Sequence, residues 1–202
     1  MKKSDITKQK IMAAAEESFA KKGLYGSRVD EIAEMGGINK RMIYEHFGSK
    51  ESLYVVILDT VYLRLAEREK ELMLSSLSPK EAIKTVIDHY FTFLSENESF
   101  IKMVMWENIN EAVYLKESAA ANIKGSAIEL MKSKIEKGIK LGEFKENLDT
   151  TKVVVLINMI CFSCFSNIYT MSHIMNEDFK SEKELSEYKK IVTDMIFSYI
   201  ER

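Results

Sequence analysis

The sequence predicts an all-α protein, and three observations carry that expectation. Ala, Leu, Glu, Lys and Met dominate the 202 residues, and each favours helix in almost any window. A single Pro and eight Gly leave few places for a helix to break. Apolar residues recur at helical spacing along most of the chain. With 46% hydrophobic and 30% charged residues, the balance is that of a soluble globular protein rather than a disordered one. The length allows one substantial domain or two small ones sharing a core.

About nine helices follow from the local signals. In the first, Ile11, Ala15 and Phe19 recur at i+4 with Met12 and Ala14 alongside, and Gly23 stops the pattern as a C-terminal cap would. "SRVDEIAEMGG" (27–37) reads as a short helix that buries Val29, Ile32 and Ala33. Ser27 serves as its cap, and Asp30 stands three residues on in a variant of the capping box. After Gly36-Gly37, Asn39 caps "KRMIYEHF", and a long helix restarts at Ser49, with Glu51 in its first turn where an acid suits the helix dipole. Ser78 and Pro79 open the next helix, Pro occupying the first helical position, where a missing N–H costs nothing. Helical pattern then spans 98–115, 119–141, 150–174 and 181–201. The domains predicted are 5–65, with its paired short helices at about 28–46, and a helical body at 66–202.

Charge is close to balanced overall, −2, but unevenly placed. Through residue 50 the chain carries ten Lys or Arg against seven Asp or Glu, and the remainder carries nineteen against twenty-four. A mildly basic head on an acidic body fits phosphate binding at the head. The start, "MKKSDITKQK", is charged and lacks the apolar stretch of a secretory signal. The most apolar run, 153–165, falls short of the ~20 residues that span a bilayer. A cytoplasmic protein without membrane attachment is expected, and two Cys imply no disulfide framework.

Two short helices joined by a glycine-containing turn are a helix-turn-helix, whose second helix lies in the DNA major groove. Residues 39–46 supply fitting chemistry. Lys40 and Arg41 lie in the first turn, able to donate to guanine or phosphate; Met42 offers an apolar contact to a thymine methyl; Tyr44 and His46 can hydrogen-bond phosphate. Ile38, Ile43 and Phe47 form the face that holds this helix down. Lys50, with the free N–H groups after Ser49, makes a phosphate site at a helix N-terminus. Ser27, Arg28 and Asn39 complete the DNA-binding set.

"FAKKGLYGSRVDEIAEMGGINKRMIYEHFGSKESLY" resembles the N-terminal domain of the TetR/AcrR family of transcriptional regulators. The resemblance covers about residues 5–60 without a gap and rests on Phe19, Gly23, Val29, Ile32, Ala33, Gly37, Tyr44, His46, Phe47, Ser49, Lys50 and Leu53. Ser27-Arg28 replaces the family's usual Thr pair, Gly36 its usual Ala, and Asn39 its common Ser or Thr cap. Arg41 and Met42 stand where the family often has small residues, so base preference does not carry over. The resemblance implies a homodimer pairing through the last two helices, a double-stranded operator read as a pseudo-palindrome, and a small-molecule effector that releases a repressor. It implies neither a cofactor nor an enzyme.

The body itself is less informative. The run 153–165 calls for burial on more than one side, which a dimer interface supplies. Met and aromatic side chains of the middle helices suit an adaptable apolar pocket as well as plain core. The pocket candidates are Phe93, Phe100, Met103, Trp106 and Met131, with Phe162, Phe165 and Tyr169 from the late helices. Glu107, beside Trp106, offers polar selectivity, for instance toward a cation. Cys161 and Cys164 form a C-x-x-C without a second pair or nearby His, which favours small buried hydrophobes over a redox pair or half a zinc site. His89 and His173 read as core or surface residues. No paired carboxylates, triad or phosphate loop supports an enzyme. A ligand-independent regulator, an activator of the same fold and a helical adaptor making protein contacts stay open.

Overall fold

A computed structural model of the chain describes residues 3–202. Among them lie ten helices: α1 (Lys3–Gly26), α2 (Val29–Gly36), α3 (Lys40–Phe47), α4 (Lys50–Leu74), α5 (Pro79–Glu96), α6 (Glu98–Ile109), α7 (Ala120–Lys140), α8 (Thr150–Ser166), α9 (Ile168–Met175) and α10 (Glu182–Ile200). The one β feature among the described residues is an isolated antiparallel bridge, Phe144 to Glu201. The tenth helix arises because the stretch predicted as one helix over 150–174 breaks at Asn167. Its backbone leaves helical geometry there, and α8 and α9 meet at a 57° bend. The helix predicted over 98–115 stops at Ile109, and residues 110–119 form turns in which Glu111 and Ala112 take positive φ.

The chain divides into two compact units. The first holds α1–α3, α4 as far as Arg64, and Glu98–Ile123; the second holds Leu65–Asn97 and Lys124–Arg202. The first unit takes α6 and the turns after it together with the N-terminal helices. The reason is packing: α6 lies along α1. Trp106 Nε1 donates to the Ala20 carbonyl at 3.3 Å, and Ser99 donates to Glu16. Gly23 makes this approach possible. Its φ is +66°, and a Cβ there would stand 2.9 Å from the Trp106 ring, so a side chain is excluded twice over.

The first unit's core is built from Ile11, Phe19, Ile32, Ile43, Leu53 and Ile57, all fully buried, with Tyr54 among them. The Phe19 ring meets Tyr54 edge-on at 5.1 Å, and Tyr54 meets Tyr114 at 5.4 Å. Glu107, 2% exposed, organises its surroundings. One carboxylate oxygen accepts from Tyr54 Oη at 3.0 Å and the other from the Leu115 N–H at 2.8 Å. Burial first, then the Glu107 charge, push the Tyr54 hydroxyl well above its ordinary range, so it stays a donor.

In the second unit α5 packs against α8 and α10. Ser78 and Glu81 make the full capping box that starts α5, and Pro79 sits at its head as predicted. Val154, Ile157 and Cys161 of α8 face the core, whereas Val155, Leu156 and Met159 are exposed. On α10, Val192, Ile196 and Ile200 are buried and Ile191, Met195 and Tyr199 exposed. Helices α8 and α10 thus carry apolar side chains on two sides.

Candidate nucleic-acid interface

Each helix of the head is started and stopped by local chemistry. Gly37 takes left-handed geometry at φ 58°. Its N–H and that of Ile38 reach back to Glu34 and Ala33, closing α2 and turning the chain within three residues. Asn39 then caps α3 as predicted, its side-chain oxygen accepting from the Arg41 N–H at 2.8 Å. Ile43 is fully buried beneath α3, with Ile38 and Phe47 half-buried at its ends. A helix of barely two turns is thereby fixed on a rigid base.

The outward face of α3 carries the expected groups. Arg41 is 83% exposed along its side chain, and Nε donates to Glu45 at 2.7 Å. Lys40 reaches back to Asp30 of α2 at 2.8 Å, a contact that raises the ammonium's pKa. Tyr44 is 45% exposed and Met42 half-buried beside it. Arg28 stands exposed at the head of α2. The basic pair is therefore held by two carboxylates, and loosely, because exposed pairs contribute only about 0–1 kcal/mol.

Three members of the predicted set have other surroundings. Ser27 is 1% exposed and does not cap α2: Arg28 occupies the cap position, and Ser27 Oγ donates to the Gly23 carbonyl at 2.8 Å while accepting from Ser18. The same Gly23 carbonyl also accepts the Ser27 N–H at 3.2 Å, so backbone and side chain of Ser27 both turn back to α1. Lys50 is engaged inward, donating to the carbonyls of Leu24 at 2.8 Å and Ser27 at 3.0 Å. His46 is half-buried, and its Nε2 is shielded with no protein partner. Ser27 and Lys50 thus position the head from beneath, and the exposed face consists of Arg28, Asn39, Lys40, Arg41 and Tyr44.

The pocket candidates are shared between the units: Phe100, Met103, Trp106 and Glu107 belong to the first, and Phe93, Met131, Phe162, Phe165 and Tyr169 to the second. Trp106 and Glu107 are occupied by the contacts described above. Phe93, Met131 and Phe165 are buried, Phe165 against the Phe91 ring at 5.4 Å, and Phe162 is half-buried. Tyr169 is exposed and holds Lys180, whose ammonium lies 4.4 Å from the ring centre. Burial pushes the Cys161 thiol up to about 12, so it carries no thiolate at neutral pH. Among the described residues no group of three or more His, Cys, Asp or Glu is placed to hold a metal ion, and no single helix is long and apolar enough to cross a membrane.

Sequence reasoning missed one polar cluster in the second unit. Glu69 is fully buried and accepts from both Tyr90 Oη and Lys124 Nζ. The signal was present: Leu65, Ala66, Glu69, Leu72 and Met73 form one buried stripe, with an acid where the spacing demands an apolar residue.

The geometry defines a helix-turn-helix head whose second helix is exposed and basic, joined to a helical body: the class of DNA-binding regulators. Comparison with known proteins agrees. The model of the bacterial regulatory proteins of the TetR family matches residues 11–57, and that of the tetracyclin repressor-like C-terminal domain matches residues 79–196. The chain belongs to the TetR family. It is therefore a transcriptional regulator with a DNA-binding head, not an enzyme. It is 25% identical over 200 residues to the transcriptional repressor NicS of Pseudomonas putida, covering 98% of this chain and 94% of that one. In fold it is similar to FadR of Bacillus subtilis, solved in complex with stearoyl-CoA (TM-score 0.76, 21% identity, 94% and 97% of the two chains). It is also similar to the fatty acid degradation regulator FadR of Bacillus halodurans (TM-score 0.74, 19% identity, 94% and 93%).

Proposed function

We propose that the chain is a homodimeric repressor that binds a pseudo-palindromic operator in the cytoplasm and is released by a small apolar ligand. The observation that carries the proposal is α3: Lys40, Arg41 and Tyr44 project from a short helix fixed by Asn39 and Ile43, the two basic side chains held only by exposed ion pairs. Such residues read base edges and phosphates when the helix enters the major groove. One such helix reads a half-site; two-fold symmetry supplies the second, about one DNA turn away. The exposed Val155, Leu156 and Met159 of α8 and Ile191, Met195 and Tyr199 of α10 offer the apolar face for that pairing. NicS, named a repressor, and FadR, holding an acyl-CoA, support repression and ligand response in this chain. α4 belongs to both units, so a ligand that shifts its second half would carry the shift covalently to the head.

The test is selection of retained sequences from random duplex DNA, followed by binding measurements on the enriched duplex. A pseudo-palindrome bound by a dimer is expected. Replacing Arg41 and Tyr44 together by Ala should weaken binding at least tenfold with little change in melting temperature. Unchanged affinity in the double variant would refute α3 as the reading helix.

A further inference from the structure

Two cavities lie between α8 and α10, and they differ in size and chemistry. The smaller, about 170 Å³, is lined by aliphatic side chains with Met195 and Tyr199. Such a dry seam suits the apolar side chains of a second copy. The larger, about 410 Å³, opens where α8 bends by 57° into α9 at Asn167. Its apolar walls come from Ile160 of α8, Ile168 and Met171 of α9, and Phe179 of the following loop. Phe179 is held in place: its N–H donates to Ser172 Oγ at 3.3 Å, and its ring meets the Tyr188 ring edge-on at 5.5 Å. Ser163, Asn167 and Tyr188 bring hydrogen-bonding groups to the same cavity. The Asn167 amide nitrogen donates to the Ser163 carbonyl at 3.3 Å and to Ser163 Oγ at 3.2 Å. The Asn167 side-chain oxygen and the Tyr188 hydroxyl have no protein partner among the described residues. None of the residues lining this cavity is charged, and none is a pocket candidate drawn from sequence.

We propose that the larger cavity is the effector site, and that the effector is a neutral aromatic molecule of about two rings carrying a hydroxyl group. The inference rests on the ligand-released reading above and gives that ligand a place and a class. The volume falls in the range of about 300–1,000 Å³ that small-molecule sites occupy. The edge-on Phe179–Tyr188 pair and the sulfurs of Met171 and Cys164 favour a ring between them. A hydroxyl both donates and accepts, so it can give its hydrogen to the open Asn167 oxygen or accept one from Tyr188 or Ser163. A carboxylate or an ammonium would lose hydration there and meet no opposite charge. Ile160 lines both cavities, so an occupant of the larger one bears on the seam where two copies are proposed to meet. A shift of that seam changes the spacing of the two heads.

The experiment titrates the full chain with 2-naphthol, 2-naphthoate and 2-naphthylmethylamine by isothermal calorimetry. 2-Naphthol should bind once per protomer, and the two charged probes at least about tenfold more weakly. Tyr188→Phe keeps the ring and removes the hydroxyl, and should weaken 2-naphthol about three- to tenfold. Ser163→Trp, at an exposed position, sets a ring in the mouth of the cavity. It should abolish binding while Tm stays within about 2 °C and the oligomeric state is unchanged. Equal affinity in wild type and Ser163→Trp would overturn the proposal, as would a charged probe binding as tightly as 2-naphthol. No binding up to the solubility limit, with Ser163→Trp turned monomeric in sedimentation, would overturn it and assign the cavity to a second copy. Binding at this site that leaves retention of the selected duplex unchanged would uphold the site and refute the ligand-released reading. Release of the duplex by 2-naphthol in Ser163→Trp would uphold that reading and overturn this site.

Discussion

Glu45 restrains the recognition helix, and removing its charge should strengthen DNA binding. The carboxylate holds Arg41 Nε at 2.7 Å from four residues further along α3, with Arg first and Glu second, the weaker order for a helical pair. The Glu45→Gln change therefore costs the fold about 0.3–0.5 kcal/mol, and Tm about 1–2 °C. Its effect on DNA is larger. A carboxylate about 7 Å from each of two phosphates is repelled by roughly 0.6 kcal/mol per phosphate in water. Releasing Arg41 adds about 0.3–0.5 kcal/mol. Together these give about 1.5 kcal/mol, or a tenfold lower Kd at low salt. Fluorescence anisotropy on the selected duplex, repeated across ionic strength, measures it. Because the Debye length is about 10 Å at 0.1 M salt, the gain should shrink to less than threefold at roughly 0.5 M. Unchanged or weaker binding at low salt, or a gain indifferent to salt, would refute the reasoning.

Other outcomes follow from the packing. Gly23→Ala should lower Tm by several degrees in a calorimetric scan, since it forces a side chain into left-handed backbone and against the Trp106 ring, a cost of about 1–3 kcal/mol. Asn39→Ala removes the cap of α3, costs about 1 kcal/mol, and should weaken DNA binding more than it lowers Tm. Tyr54→Phe takes one of two donors from a buried carboxylate and should destabilise by about 1.5–3 kcal/mol in urea unfolding. Burial holds the His89 pKa below its ordinary 6.5, against the raising effect of Glu69 and with Arg68 and Lys124 lowering it further. The unfolded chain therefore takes up the proton first. The stability linked to this group is fully present above pH 6.5 and is lost as pH falls from there through the lower folded value. His89→Phe should gain on wild type in Tm between pH 7.5 and 5.5, and a constant difference would refute this assignment.

Helix starts were legible because the chemistry that makes them is local. Asn39 and the Ser78-Pro79-Glu81 group act within three residues, and so do their sequence signals. The break at Asn167 was not, since apolar residues run on both sides and no Gly or Pro interrupts them. Ser27 has the spacing of a capping box, yet its hydroxyl goes back to the Gly23 carbonyl four residues earlier, an acceptor with no side-chain signature. Lys50 looks like a phosphate ligand in sequence because its acceptors, two main-chain carbonyls, have no side-chain signature. Membership of α6 in the first unit depends on Trp106 meeting Gly23, a contact across more than eighty residues. In the candidate interface the exposed members were those read from type and position alone. The inward ones were identified only once their partners were known.

Lys50 also acts as a clasp. Its ammonium joins the first residue of α4 to carbonyls 26 and 23 residues earlier, closing a loop that contains all of α2 and α3. Loop-closure entropy grows only with the logarithm of length, so one clasp suffices for the whole segment. α2 and α3 are thereby tied at both ends to the head of α4. Because the acceptors belong to the main chain, the residues inside the loop are free to change without loosening it. A lineage can thus vary the exposed face of α3 while the clasp keeps where it is presented.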